Sequence, residues 1–399
     1  MTLLQFKPQF DNSYQEFFQK AIVSPEIMNT RFKAVLEYGS SVARVAYDIS
    51  GVTVRDTNRN NVASTIDSIS DSVESLLVNI EREAVFYIAD GTVKQAGPLN
   101  PGEVIGGQVA IKLAADLDGK CFAQVSNALY NFDNGDLTTG TSDLTPITIN
   151  ATTTPQMVTR MPAKLKNKNN QNPNTNMVFV LDSYAAADLT QYIMGKNIDL
   201  AGNTFKNGYS GDVSNARLYV SEALKGQAEL LSTGTFSDGD TVTINSVVFT
   251  MKTTLGATPG NVLIGAAATN SIQNLVALIN APTVTTAQGV AITSTTDLNT
   301  LASLTATATS ATVMTVVGTG TGRLTVAKSA TNWSWNRNFI YAYFGKKGAI
   351  DLVVQDLQEV DMRKCSDRRG TNVFSSYLAG IKTFADGAKK FLAVKILVA

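Results

Sequence analysis

Histidine is absent from all 399 residues. It is the usual general base near neutral pH and the commonest metal ligand, so Ser/His/Asp triads, Cys/His dyads and histidine-containing zinc sites are excluded. Cysteine is nearly absent: Cys121 and Cys365 alone cannot form a cysteine-rich metal site. Cys121 falls on an apolar helical face and is expected to be a buried thiol. Cys365 sits among Arg363, Lys364, Arg368 and Arg369, which favour a thiolate, but no neighbour could act as its base; an exposed, unreactive cysteine is the expectation. Net charge is missing too, with 33 basic residues balancing 33 acidic ones, so any contact with nucleic acid or an anionic surface must be local. No run approaches the roughly 18 to 20 apolar residues that span a bilayer, and Met1–Lys20 lacks the basic start and apolar stretch of an export signal. The expectation is a soluble, unexported chain.

One long segment is also short of charge. From Ser232 to Asn332 the only charged residues are Asp238, Asp240, Lys252, Asp297, Arg323 and Lys328, among Thr, Ala, Gly and Val, while both flanks are ordinarily charged. A composition shift that reverts afterwards marks a domain inserted at a loop of a host domain. At 399 residues and 44% hydrophobic content, host and insert can each bury a core.

What is present reads as a series of elements. Phe10, Tyr14, Phe17, Phe18 and Ile22 recur at helical spacing, and Ser24-Pro25-Glu26 starts a second helix expected to run through Phe32, Val35 and Leu36 to Gly39. The period then changes to two: Val45, Tyr47 and Ile49, later Leu76, Val78 and Ile80, then Ala84, Phe86 and Ile88 alternate. With polar Arg55–Asp71 between them, these predict a long two-stranded projection. Such a hairpin is marginal alone, so it is expected to lean on another copy of the chain. Pro101–Leu129 is the clearest helix, with Val109, Leu113, Leu117, Cys121, Val125 and Leu129 at every fourth position and Gly119 in its middle. Ile147–Ile149 and Met157–Met161 read as strands, followed by a basic loop carrying Arg160, Lys164, Lys166 and Lys168. Phosphate contact is conceivable there, but no aromatic residues interleave to stack bases, which favours a solvated loop. Met177–Leu181 reads as a strand buried on both faces; Asp182-Ser183 caps a helix ending at Gly195, and Leu218–Val220 is a further strand.

This order of elements resembles the major capsid proteins of tailed bacteriophages with the HK97-like fold. The stretch Ser75–Asp90 is similar to the hairpin return strand of the P22-like and N4-like coat proteins. Gly211-Asp212-Val213 with Leu218–Ser221 resembles a strand of the axial domain, and Phe344–Ile350 and Leu378–Phe384 resemble the late strands. Gly234–Asn245, with Phe249-Thr250 and a helix from Ser271 to Ile279, resembles small modules within phage structural proteins. The resemblance implies an α+β fold: an N-terminal arm at 1–37, an extended β-hairpin loop at 38–90, and a peripheral domain at 91–176 with a spine helix at 101–129. It implies an axial domain at 177–230 and 333–350, an inserted β-rich domain at 231–332, and C-terminal strands of the peripheral domain at 351–399, with both Asp351–Val360 and Phe391–Val398 in the peripheral sheet. No long charged helical prosegment precedes the arm, which implies a separate scaffolding protein or a processed chain.

Three stretches mimic chemical sites. Asp238-Gly239-Asp240 offers two carboxylates where calcium takes six to eight oxygens, so a turn is expected. Gly318-Thr319-Gly320-Thr321-Gly322 lacks the Gly-Lys-Ser/Thr and helix of a phosphate loop and reads as a turn. Asp351, Asp356, Glu359 and Asp361 are spread along strand and turn, as solvated faces are. No catalytic, cofactor-binding or metal residue is therefore nominated. The resemblance implies a non-enzymatic coat protein that self-assembles into hexamers and pentamers to form the icosahedral head around viral DNA. Its partners would be other copies, a scaffolding protein, a portal, decoration or head proteins and, by local non-specific contact, DNA. It would be located in the virion after synthesis in the host cytoplasm, with no membrane partner. The alternatives are a tail-tube or decoration subunit, or an enzyme working with carboxylates alone.

Overall fold

The computed structural model describes residues 16, 22–32, 39–48, 67, 70–91, 101–138, 140–169, 176–196, 212–213, 216–357 and 361–398. In chain order come helix α1 (Ser24–Ile27), strands β1 (Ser41–Asp48), β2 (Ser70–Leu77) and β3 (Ile80–Ala89), helix α2 (Pro101–Ala123), strand β4 (Tyr130–Phe132), and helices α3 (Asn134–Thr138) and α4 (Thr153–Asn169). Then follow β5 (Met177–Leu181), α5 (Ser183–Lys196), β6 (Asp212–Val213), β7 (Ala216–Val220), β8 (Lys225–Ser232), β9 (Thr241–Ile244), β10 (Val247–Lys252) and β11 (Asn261–Leu263). The rest comprises α6 (Ala268–Asn280), α7 (Thr295–Leu301), β12 (Leu304–Ser310), β13 (Val313–Gly318), β14 (Val326–Lys328), β15 (Trp333–Lys346), β16 (Asp351–Leu357), β17 (Asp361–Lys364), β18 (Gly370–Lys382), α8 (Ala385–Ala388) and β19 (Phe391–Leu397). The fold is α+β. Among the described residues, no helix is long and apolar enough to cross a membrane.

The chain divides into two units. Among the described residues the first draws on Met28–Val109 and Gly348–Ala388, the second on Gln15–Ile27, Ala110–Lys347 and Lys389–Ala399. In the first unit β18 is central: β3 pairs antiparallel along one edge, from Gly370 opposite Ala89 to Ala379 opposite Ile80, while β17 and β16 follow each other along the opposite edge. Strands β1 and β2 form a separate two-stranded antiparallel ladder. The alternation expected on either side of Val78 is thus divided between two sheets, with β2 in the hairpin and β3 beside β18. The tip of the hairpin, with Val52, Val54 and most of Arg55–Asp71, lies outside the described residues, as does the expected helix from Phe10 to Ile22 apart from isolated positions.

In the second unit β15 carries a nine-stranded sheet in the order β12-β13-β8-β15-β5-β7-β6. Its first part pairs with β8 and its last residues with β5, while β19 lies along the opposite edge and pairs in turn with β4. Strands β5 and β7 run parallel with α5 between them, the arrangement that the fully apolar Met177–Leu181 demands. A second, four-stranded sheet, β11-β10-β9-β14, stands within the charge-poor segment. Its core takes Val242, Ile244, Phe249 and Met251 from the strands and Ile272, Leu275 and Leu278 from α6.

Several expectations are corrected. Phe391–Leu397 does not share a sheet with Asp351–Leu357: β19 pairs with β15 in the second unit, where Phe391 crosses Gly345 so closely that a Cβ there would lie 2.2 Å from the Cβ of Phe391. Met157–Met161 is not a strand but part of α4. Met157, Met161 and Leu165 are all buried, as one face of a helix requires, and the Asn150 side chain accepts from the amides of Thr152 and Thr153 where the helix begins. The basic residues expected on a loop stand on the other faces of that helix. Ile147 makes an isolated bridge to Ile396. The helix starting at Ser24 ends at Ile27, because the amide of Asn29 donates to Ile350 and its carbonyl accepts from Leu352. The long helix ends at Ala123 and tightens into a 3-10 turn at Gln124–Asn127, leaving Leu129 exposed.

Candidate functional site

Two constellations hold the elements that the sequence singles out, one in each unit. The first is the root of the β1–β2 hairpin. Arg44 and Glu74 face each other across the ladder, and both reach the turn containing α8. The Arg44 guanidinium donates to both carboxylate oxygens of Asp386 at 2.8 Å, the planar fork that suits a carboxylate. Glu74 accepts from the Ala385 amide at 3.1 Å. Arg44 also lies over the Phe384 ring at 5.4 Å. Beneath it, Leu76, Val78, Val353 and Phe384 form a small buried cluster. On its other face the same strand exposes apolar side chains: Val73 is 70% and Leu77 51% accessible.

The second constellation is the seam of the charge-poor segment. Ser232 and Trp333 are register partners on β8 and β15, so the charge-poor segment leaves and re-enters the nine-stranded sheet at neighbouring positions. The seam is stapled by aromatic stacking of Phe236 on Trp333, with centroids 3.8 Å apart, and Trp333 is fully buried. The hairpin β12–β13 extends the nine-stranded sheet by pairing with β8. Ala228 and Leu230 of β8, outside the charge-poor segment, enter the same core as Val316 and Met314, so the segment and β8 share one hydrophobic core. The outer edge of β12 is closed by Asn280, whose side chain donates to the Ala306 carbonyl and accepts from its amide. This blunts an edge that carries no charge.

Below the seam, Arg323 reaches Asp182 at the end of β5. Its Nε and Nη2 donate to the two oxygens of this fully buried carboxylate, and its guanidinium lies 5.1 Å from the Tyr184 ring. Asp182 also accepts from the Ala185 amide as the cap of α5. Removing the arginine would strand a buried charge, a loss of about 3 kcal/mol or more for buried pairs, tempered here by the partial exposure of Arg323. Asp118 on α2 holds the start of α1 in the same way, accepting from the amides of Val23 and Ser24 at 2.9 Å each. Burial raises its carboxyl above the usual range, against hydrogen bonds from Ser24 and Val23 that pull it down. These contacts join residues 94 to 141 positions apart, and no local pattern in the sequence signals them.

The mimics of chemical sites are structural. Asp238 accepts from the amide and hydroxyl of Thr253, Asp240 accepts from the Ser237 amide at 2.7 Å, and Gly239 between them has φ +88°, so both carboxylates shape one turn. The segment Gly318–Gly322 links β13 toward β14, with Gly320 and Gly322 at positive φ. Asp351 is buried, bonded to Asn29 and 3.4 Å from Arg31, and burial raises its carboxyl. Asp361 pairs with exposed Arg363, the Asp356 side chain is not described, and Glu359 lies outside the described residues. Of the two described side chains, Asp351 and Asp361 are not brought into one site: they stand on different strands with separate partners. Cys121 is buried and desolvation pushes its thiol up; half-buried Cys365 lies 3.2 Å from Asn372 Oδ1. Among the described residues, no group of three or more Cys, Asp or Glu is placed to hold a metal ion.

No family model matches the chain, and no curated protein matches it. Among solved structures it is similar to one of Mycobacterium phage Che8, at 14% identity and a TM-score of 0.49 over 92% of this chain and 89% of that one. It is similar to the capsid structure of the cyanophage P-SCSP1u at 12% identity and a TM-score of 0.47, over 94% and 86% of the two chains. The capsid of Ralstonia phage GP4 follows at 11% identity and a TM-score of 0.43, over 90% and 84%.

Proposed function

We propose that the chain is the major coat subunit of a tailed virus, with the HK97-like fold, acting by self-assembly into hexamers and pentamers around the viral DNA. The observation that carries this reading is the β1–β2 hairpin. Among the described residues its strands pair only with each other, it exposes Val73 and Leu77, and a two-stranded ladder is marginal in water by itself. A neighbouring copy supplies the missing cover, and ordering on contact is the thermodynamics of coupled folding and binding. The role is structural and not enzymatic: its affinity comes from many modest interfaces.

In this reading 1–37 is the arm, 38–90 the extended loop, and 91–176 the peripheral domain around α2. Residues 177–230 and 333–350 form the axial domain, with 231–332 as its inserted module. Residues 351–388 belong to the peripheral domain, while β19 joins the sheet built on β15. Scaffolding, portal and decoration proteins are the expected partners, and the virion is the location. Sedimentation of the purified chain and electron microscopy of its products test the proposal. Shells or capsomers are expected; a strictly monomeric chain at high concentration, found at only a few copies per particle, would reject it.

A further inference from the structure

Helix α4 carries two stripes. Met157, Met161 and Leu165 are buried, while Arg160, Lys164 and Lys168 recur at every fourth position on another face. That basic face lines a cleft of about 400 Å³ with Phe132, Asp136, Gly140, Ala163 and Asn167. The single carboxylate of the cleft is already committed. Asp136 is buried, accepts from Lys164 Nζ at 2.6 Å to both oxygens, and accepts from the Asp133 amide at 3.1 Å. Arg160 uses one terminal nitrogen, Nη1, to hold the carbonyls of Asp136 and Thr138 at 3.1 Å. Its remaining donors, the Asn167 amide and the Lys168 ammonium have no partner among the described residues. Three cations therefore stand against one carboxylate, with spare donors on three side chains and an apolar wall from Phe132 and Ala163.

We propose that this cleft binds a phosphate group. A phosphate monoester carries close to two negative charges and three strong acceptor oxygens, matching the surplus of two cations and the three unsatisfied donor groups. A single carboxylate would leave half of that charge unmatched. The inference does not depend on the shell-forming reading, because it rests on α4 and the Phe132–Gly140 segment alone. Free phosphate and the terminal phosphate of a nucleotide offer that charge on one group, and a nucleic-acid backbone, with one charge per phosphodiester, offers it on two successive phosphates.

The test is calorimetric titration of the full chain with inorganic phosphate, with deoxyadenosine monophosphate and with a short DNA duplex, all at one fixed ionic strength. One saturable site per chain is expected for at least one of the three. Lys168→Gln, at an exposed position with no bonded partner, should weaken it roughly tenfold, the size of one charge-assisted hydrogen bond. Lys364→Gln, at the exposed end of β17, should leave it unchanged. Binding of the small anions identifies a soluble phosphate as the source, and binding of the duplex alone identifies a nucleic-acid backbone. Absence of saturable binding to all three, or equal weakening by Lys168→Gln and Lys364→Gln, would overturn the proposal.

Discussion

Gly119 of α2 and Gly320 of the loop after β13 meet backbone to backbone: a Cβ on Gly119 would lie 2.6 Å from the Cα of Gly320, and one on Gly320 would lie 2.8 Å from the Cα of Gly119. The same loop is pinned on its other side, where a Cβ on Gly226 of β8 would lie 2.2 Å from the Gly322 carbonyl oxygen. The glycine-rich run that mimics a phosphate loop is therefore a spacer, thin enough to pass between a helix and a strand.

Helix propensity alone predicts that Gly119→Ala stabilises the protein by about 1 kcal/mol. The contact reverses the sign, since overpacking against backbone costs about 1 to 3 kcal/mol. Urea denaturation should show Gly119→Ala to be less stable than the parent. Gly320→Ala should be worse, because φ is +68° there and an alanine is strained in that region as well as crowded. A Gly119→Ala protein with a raised midpoint would mean that the loop moves aside at little cost.

The charge-poor segment is more deeply tied to β8 and β15 than its composition suggests. A fragment of residues 231–332 omits Ala228, Leu230 and Trp333, all buried in the module core, together with the strands that pair with β13 and stack on Phe236. A fragment of residues 225–341 restores them. The longer fragment should unfold cooperatively and the shorter one should lack a sharp transition. Circular dichroism compares the two fragments; Trp333 and Trp335, the only two tryptophans of the chain, are both absent from the shorter one and stand at this seam, so intrinsic fluorescence follows it in the longer fragment alone. Equal cooperativity of the two fragments would show that β8 and β15 add nothing to the core.

What was legible follows the range of the interactions. The long helix, the Met177–Leu181 strand and the burial of Cys121 are written in local period or composition. The segment Met157–Met161 misled because five residues are too few to separate periods, and Pro162 inside α4 argues against a helix; the stripe emerges only when Leu165 is included. The helix end at Ala123 was missed because the fourfold spacing continues to Leu129 after the backbone has tightened. The contacts of Arg323 with Asp182, Asp118 with Val23 and Gly119 with Gly320 depend on which elements fold together, and that is decided by sheet order. The same applies to β19, whose apolar residues suit either sheet until the crossing at Gly345 selects one.

Asp118 supplies a test by pH. Its carboxyl is raised in the folded chain, so the native state holds its proton more tightly than the unfolded chain does. The stability linked to that proton is complete below the ordinary carboxylate value of 3.8 and is lost as pH rises through the raised folded value. The stability of the parent minus that of Asp118→Asn should therefore fall across that window and be flat on either side of it. Asparagine offers one acceptor to the amides of Val23 and Ser24, so the variant should still fold. Denaturation midpoints measured from pH 3 upward check this, and a difference that rises with pH would contradict the raised value.

The Arg44–Asp386 pair separates stability from assembly. Both side chains are about a third exposed, and pairs of that kind contribute about 1 kcal/mol or less; Arg44→Glu also sets a carboxylate opposite Glu74, so the melting midpoint should fall modestly while the chain stays folded. Its geometric effect is larger, because the two-pronged contact and the Glu74 bond to Ala385 set how β1 and β2 leave the Leu76–Phe384 cluster. If the hairpin covers a neighbouring copy, a loosened root lowers the fraction of productive contacts at every interface of a shell, and small losses multiply over many copies. Arg44→Glu should therefore assemble poorly by sedimentation while remaining folded by circular dichroism. The exchanged pair Arg44→Glu with Asp386→Arg should recover much of the yield, since the salt bridge is re-formed with its ends swapped. Assembly of the single variant at the parental level would show that this root does not aim the hairpin. Failure of the exchanged pair alone would assign the effect to the Arg44 stacking on Phe384 and not to the ion pair.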